Sequence, residues 1–186
     1  MPMLQRSSFI LATGALWFSL AASAADAPTV ARLYDAQITN AERDIVPLAE
    51  AMPAEKYAFA PTSGEFQGVR TFGQQVKHLA AVVYMAAAAA QKEKPPVDVN
   101  AEKGPDSLIT RDQIVPYLKG AFAYAHKAAL ALNEKNQLEL VKSPFGGGET
   151  TRGSAVAIAS WHSFDHYGQM VVYARMSGVI PPASRP

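Results

Sequence analysis

The sequence predicts an all-α fold, a four-helix bundle with long connecting loops and a signal peptide ahead of it. Three observations lead there. Four segments repeat apolar residues at steps of three and four, which marks amphipathic helices. No segment shows a convincing apolar–polar alternation of the kind a strand needs. Proline- and glycine-rich stretches separate the four segments, and four amphipathic helices bury their apolar faces against one another as a bundle.

The N-terminus reads MPMLQRSSFILATGALWFSLAASAADAPTV. Arg6 precedes an apolar run from Phe9 to Leu20, and Ala22-Ser23-Ala24 supplies a small-x-small cleavage pattern. That is the composition of a secretory signal, and the run is shorter than the roughly 20 residues that span a bilayer. Residues 1–24 are therefore expected to be removed, leaving 25–186 as one domain that is periplasmic or secreted, with no stable membrane span. The chain of 186 residues has no cysteine, 49% hydrophobic and 18% charged residues, and a formal net charge of +1. That supports a packed core, gives no nucleic-acid footprint, and removes thiolate metal sites, disulfides and cysteine nucleophiles.

The first helix is expected over 28–51, with Val30, Leu33, Tyr34, Ile38, Ala41, Ile45, Leu48 and Ala49 on one stripe. Pro28 suits its first turn, and Pro47 predicts a kink or early stop. Residues 52–70 form a loop whose three aromatics, Tyr57, Phe59 and Phe66, are expected to pack over the domain. The second helix, 71–92, is capped by Thr71. It buries Phe72, Gln75, Val76, Leu79, Val82, Val83 and Ala86, and its alanine run, Ala86 to Ala90, permits close helix–helix approach. Residues 93–109 are a second loop. The third helix, 110–133, opens at Thr110 and carries Pro116 in an early turn. In the next loop, 134–150, three glycines are expected to exclude regular structure. The last helix, 151–177, is capped by Thr151 or Ser154 and ends at Gly178 in a left-handed cap, with Pro181-Pro182 beyond. The loops exceed what a minimal up-and-down bundle needs, so one or two crossover connections are expected.

Two of the four histidines, His162 and His166, stand four apart in the last helix. That spacing puts both on one face with Cβ atoms about 5–6 Å apart, within reach of a single ion at roughly 2.0–2.1 Å. The face also holds Ala155, Ile158 and Tyr173, so it points inward, where an imidazole needs a partner. A lone H-x-x-x-H is a weak signal, because most such pairs are surface or satisfied core residues. His78 on the inward side of the second helix adds a third imidazole. Three such ligands leave a position open for water or substrate. Imidazole ligands suit Zn, Ni, Cu and Fe; a divalent ion, zinc or nickel first, is the expected cofactor. Ser163 follows His162 where a zincin would carry glutamate, so protease chemistry is not supported. The Glu-x-x-His repeats of di-iron bundles are missing as well. His126, in AYAHKAA, reads as a surface or structural histidine.

KHLA in the second helix, WHSFDHYGQMVVYARMSGVIPP at the end and the loop MPAEKYAFAPTSGEF resemble the DinB/YfiT-like superfamily. The resemblance covers nearly all of the chain after residue 24. It is most specific at the Pro53-x-x-x-Tyr57-x-Phe59-x-Pro61 loop and at the C-terminal His-x-x-x-His-Tyr-Gly-Gln with its closing Gly-x-x-Pro-Pro. It implies a four-helix bundle holding a divalent metal on one histidine of the second helix and two of the last. Those positions fall on His78, His162 and His166. Some members are thiol transferases and members often dimerise, so the resemblance implies a metal-dependent hydrolase or thiol-type transferase acting on a small molecule, with a homodimer possible. A non-catalytic metal- or ligand-binding helical module is the alternative. The secretory signal sets this chain apart from many members. General acid–base partners are not legible. Asp165 and Glu65 read more readily as solvated charges, Tyr57 and Phe59 as packing. Gln169 and Tyr173 stand equally as packing or as groups that orient a ligand imidazole.

Overall fold

The computed structural model describes residues 28–186; the expected signal segment, 1–24, lies outside the described residues. Within them lie four long helices: α1 (Val30–Ala51), α2 (Phe72–Gln91), α3 (Arg111–Leu130) and α4 (Arg152–Met176). No described helix is long and apolar enough to cross a membrane.

The helix boundaries follow local chemistry. Thr29 caps α1 by accepting from the Arg32 amide, so Pro28 sits outside the helix rather than in its first turn. Leu33, expected on the buried stripe, is 58% exposed. Pro47 does not stop α1, which runs on to Ala51. The carbonyl four residues back belongs to the exposed Arg43, where water can replace the bond a proline cannot make. Thr71 and Gln74 close a capping box on α2, and Thr110 and Gln113 do the same on α3. Thr151, not Ser154, caps α4. Gly178, at φ 79°, ends α4. Its amide bonds the Arg175 carbonyl at 3.0 Å while the Val179 amide reaches Ala174 at 2.8 Å, the two bonds of a Schellman close.

A further expectation fails. The 134–150 loop contains an antiparallel hairpin, β1 (Leu140–Lys142) paired with β2 (Glu149–Thr151). Its glycines make it possible rather than prevent it. Gly146, Gly147 and Gly148 take φ of 78°, 78° and 137°, values side chains resist, and so reverse the chain between two three-residue strands.

α1 packs against α3 and α4, and so does α2, while α1 and α2 occupy opposite corners, as do α3 and α4. The connections α1–α2 and α3–α4 therefore both cross a diagonal, which is why those loops are long. The α1–α2 loop folds over the bundle. Tyr57 is buried, donates to the Ala49 carbonyl at 2.7 Å and meets Phe72 edge-on. Phe59 stacks edge-on against Tyr173. Phe66 stays 39% exposed and does not join them. The α2 amide of Gly73 bonds the Tyr57 carbonyl at 2.8 Å. A Cβ on Gly73 would come within 3.2 Å of that carbonyl, so the loop rests on bare backbone there.

α2 is the most buried helix; Ala80, Ala86, Ala87, Ala88 and Ala90 are all essentially solvent-free, so both its neighbours approach closely. This arrangement sets α2 directly beside α4. The candidate site lies along that seam.

Candidate metal centre

His78 projects from the middle of α2, and His162 and His166 project from adjacent turns of α4. One nitrogen of each ring lies within 4.8 Å of one nitrogen of each of the others. The ring centroids are 4.5 Å apart for His162 and His166, 4.7 Å for His78 and His166, and 5.2 Å for His78 and His162. Among the described residues this is the one group of three or more His, Cys, Asp or Glu side chains with such a geometry. One turn after His78 on α2 and one turn before His162 on α4 stand Val82 and Ile158, which pack with Ala86 into a small apolar cluster. Phe145, from the tip of the hairpin, lies 6.5 Å from His162.

The far nitrogens of two rings are tied down. His78 Nδ1 is 2.7 Å from the Glu102 carbonyl oxygen. A carbonyl only accepts, so that nitrogen carries the proton and Nε2 keeps its lone pair. His166 Nδ1 lies 2.6 Å from Gln75 Oε1, and Gln75 Nε2 donates to Gln169 Oε1 at 2.9 Å. The amide assignment is consistent along this chain: His166 donates to Gln75, which donates to Gln169. Both rings are held as Nδ1–H tautomers with Nε2 free of protein partners among the described residues. His162 Nε2 is fully buried and has no hydrogen-bond partner. A buried polar atom without a partner costs about 1–3 kcal/mol, and native structures rarely leave one unexplained. Three imidazoles grouped this closely, one of them with a buried, orphaned nitrogen, fit a divalent cation.

Electrostatics agree with neutral rings. Burial first, then the neighbouring imidazoles and the Arg70 charge, push His162 down to about 4 and His166 to about 3. His78 is lowered as well, by burial and then Arg70, against the opposing pull of its Glu102 bond. Neutral imidazole is the ligating form.

The Glu102 carbonyl is aimed by unusual backbone. Asn100, Ala101 and Glu102 have φ of 41°, 46° and 70°, three consecutive side-chain-bearing residues in the left-handed region, each disfavoured by about 1–2 kcal/mol. Asn100 stabilises the turn: its amide group donates to the Gly104 carbonyl and to Asp106 Oδ1. Strain concentrated where a loop grips an imidazole is a pattern seen at functional sites.

The other residues singled out in the sequence separate cleanly. Ser163 is fully buried and donates to the Ala159 carbonyl at 2.6 Å, so it is helix packing. Asp165 is exposed, although its charge bears on His162. Tyr173 is buried against Phe59. Gln169 acts one bond removed, through Gln75. His126 lies outside the cluster, bonded to Asp35 at 2.6 Å and Glu42 at 3.1 Å, and so ties α3 to α1. Gln75 and the Glu102 carbonyl were not foreseen as site groups. A glutamine on an otherwise apolar stripe, three residues before His78, was the available sign for Gln75; a loop carbonyl leaves none.

The sequence model of the DinB superfamily matches residues 37–170. No curated protein matches the sequence. Among solved structures, a DinB-like protein from Bacillus cereus ATCC 10987 superposes with a TM-score of 0.64 at 14% identity, over 80% of this chain and 93% of that one. The DinB-like protein YjoA from Bacillus subtilis gives 0.60 at 13% identity, over 83% and 99%. At such identities the likeness establishes the shared fold.

Proposed function

The chain belongs to the DinB superfamily, and from that premise we propose that His78, His162 and His166 hold a divalent metal ion, zinc or nickel first, for chemistry on a small-molecule substrate. The observation that carries this is the buried, partnerless Nε2 of His162 in a ring grouped with two imidazoles whose Nδ1 atoms are already bonded. A divalent cation with three protein ligands supplies Lewis acidity, lowering the pKa of an oxygen or sulfur acid at its open position.

The chain's own residues do the rest. The Glu102 carbonyl and Gln75 fix the tautomers and ring planes. Val82 and Ile158, one turn from His78 and His162, are buried apolar neighbours on the same two helices. Phe145 and Trp161, 48% and 55% exposed, give an apolar flank beside His162. Ser163 occupies the place of a zincin's glutamate base and is spent on the Ala159 carbonyl. Thiol transfer therefore suits the site better than hydrolysis, since a thiol of lowered pKa loses its proton to solvent without a positioned base. The same lack of a base favours, as second reading, a non-catalytic metal- or ligand-binding module. Activity rising with pH near neutrality marks the enzyme; a module shows only affinity that falls as the histidines protonate.

Export is part of the proposal, with cleavage after Ala24 supported by the sequence of residues 1–24 and testable by the N-terminal mass of the mature protein. So is a homodimer, supported by Trp161, Phe164, Val172 and Met176, all exposed on α4, and testable by light scattering. The deciding experiment is elemental analysis of untagged protein beside His162→Ala. Stoichiometric metal in the first and little in the second is expected; equal metal in both refutes the site.

A further inference from the structure

We propose that a polar cavity flanking the metal centre seats the acid group, a carboxylate or a phosphate, of the small molecule that this site handles, a step that rests on the metal-site reading above. The cavity has a volume of about 610 Å³ and lies where the end of the α1–α2 loop, the first turns of α2, the 103–106 segment and α4 meet. Arg70, Lys77 and Lys103 line it against a single carboxylate, Asp106. Two of these four groups are held by hydrogen bonds to neutral partners, which fix their position without cancelling their charge. Lys77 Nζ donates to the Pro105 carbonyl at 3.0 Å, and Asp106 Oδ1 accepts from Asn100 at 3.1 Å. Arg70 and Lys103 remain: among the described residues neither is paired with a carboxylate. A concave wall with three cations against one carboxylate concentrates anions, and a guanidinium suits the two oxygens of an oxyanion.

The cavity reaches the ligand shell through side chains that support it, not through the histidines themselves. Gln75 and Gln169 both line it, and Gln75 is the residue that fixes His166. Gln169 accepts from Gln75 through Oε1, which leaves its own N–H groups without a protein acceptor among the described residues and available to an anion. Arg70 stands close enough for its charge to bear on all three imidazoles. A bound acid group would thus lie one side chain from the ligand shell and would cancel the cationic field there. The larger cavity by the hairpin, about 750 Å³, differs: its Lys92 is neutralised by Glu139 at 2.9 Å, and Glu93 and Glu149 stand among its lysines.

The test uses the full mature chain loaded with cobalt(II), whose thiolate charge-transfer absorbance reports binding. 3-Mercaptopropionate and the uncharged 2-mercaptoethanol are titrated in parallel. The expected result is about tenfold tighter binding of the acid, with Arg70→Gln/Lys103→Gln abolishing the preference and Lys142→Gln, on the hairpin cavity, preserving it. Equal affinities, or a preference that survives the double substitution, overturn the acid-group seat while leaving the metal site standing. If the chain takes up no cobalt, the metal reading fails, and calorimetric titration of the metal-free protein with succinate and inorganic phosphate decides the cavity. Binding weakened about tenfold in the double variant sustains it; no binding, or no weakening, overturns it. Both substituted residues are exposed, so circular dichroism is expected to match the wild type.

Discussion

Replacing Gln75 with leucine tests whether the imidazoles are held for a metal or merely packed. Gln75 is 3% exposed and its Oε1 stands 2.6 Å from His166 Nδ1. Gln75→Leu keeps the volume and removes the acceptor. In the metal-free chain the stranded Nδ1–H costs about 1–3 kcal/mol. Leucine's added apolar burial offsets about 1–2 kcal/mol of that. Gln169, exposed, loses a donor that water replaces. Net stability should therefore change by about 1 kcal/mol or less, a shift of about 2–4 °C in Tm for a domain of this size. Metal affinity responds differently, because a ligating imidazole that loses its outer hydrogen bond loses orientation and basicity. Such losses weaken binding about 10- to 100-fold, or about 1.4–2.7 kcal/mol. Competition against a chromophoric chelator measures this directly. Gln75→Glu restores an acceptor, now charged, and should bind metal at least as tightly as the wild type. Wild-type affinity in a folded Gln75→Leu protein would refute the reasoning, since it would mean that the Gln75 bond serves the helix packing alone.

Other expectations concern pH and local strain. The folded values of His162 and His166 lie near 4 and 3, below the unfolded imidazole value, so the unfolded chain binds more protons and metal-free stability is lost as pH falls below about 6.5. At pH 5 each of the two groups should cost about 2 kcal/mol relative to pH 8, read from urea midpoints, and bound metal should move the loss to lower pH. His126 has the opposite sign. Burial works against its charge, but the bonds to Asp35 and Glu42 outweigh it and raise its pKa. Its contribution is full below about 6.5 and fades as pH rises through the folded value, so His126→Leu should destabilise by about 1 kcal/mol at pH 5.5 and by clearly less at pH 9 in the same urea assay. Gly178→Ala places a side chain at φ 79° and should cost about 1 kcal/mol in thermal melts without altering metal content. In Gly73→Ala the new Cβ meets the Tyr57 carbonyl and ring within 3.2 Å. The Tyr57–Phe59 loop should shift, detectable as faster exchange of the backbone amide at position 73 than in the wild type.

The helices were legible because burial writes a periodic pattern into the chain. Phe72, Val76, Leu79 and Val83 on α2 could only face inward, and Thr71, Thr110 and Gly178 mark boundaries through bonds made within a few residues. His162 and His166 were legible for the same reason, since one turn of helix fixes their separation. The hairpin at Leu140–Thr151 was hidden because three residues per strand are too few to show alternation, and its glycines signal flexibility and reversal alike. Pro28 misled because Thr29, one residue later, makes the capping bond, and the early stop at Pro47 did not occur because the carbonyl it faces has access to water.

What the sequence determined by itself is local: four amphipathic helices, their caps, and three imidazoles each placed on an inward face. Tertiary structure alone decided that α2 lies beside α4 and diagonal to α1, which brings His78 onto the other two. It also decided that a left-handed turn at Asn100–Glu102 and the amide of Gln75 take the outer nitrogens, and that Arg70 and Lys103 meet across a cavity from separate loops. The physical reason is range. Helix periodicity and capping act over three or four residues, whereas His166 and Gln75, or Arg70 and Lys103, are joined only by the way the packed helices share one core.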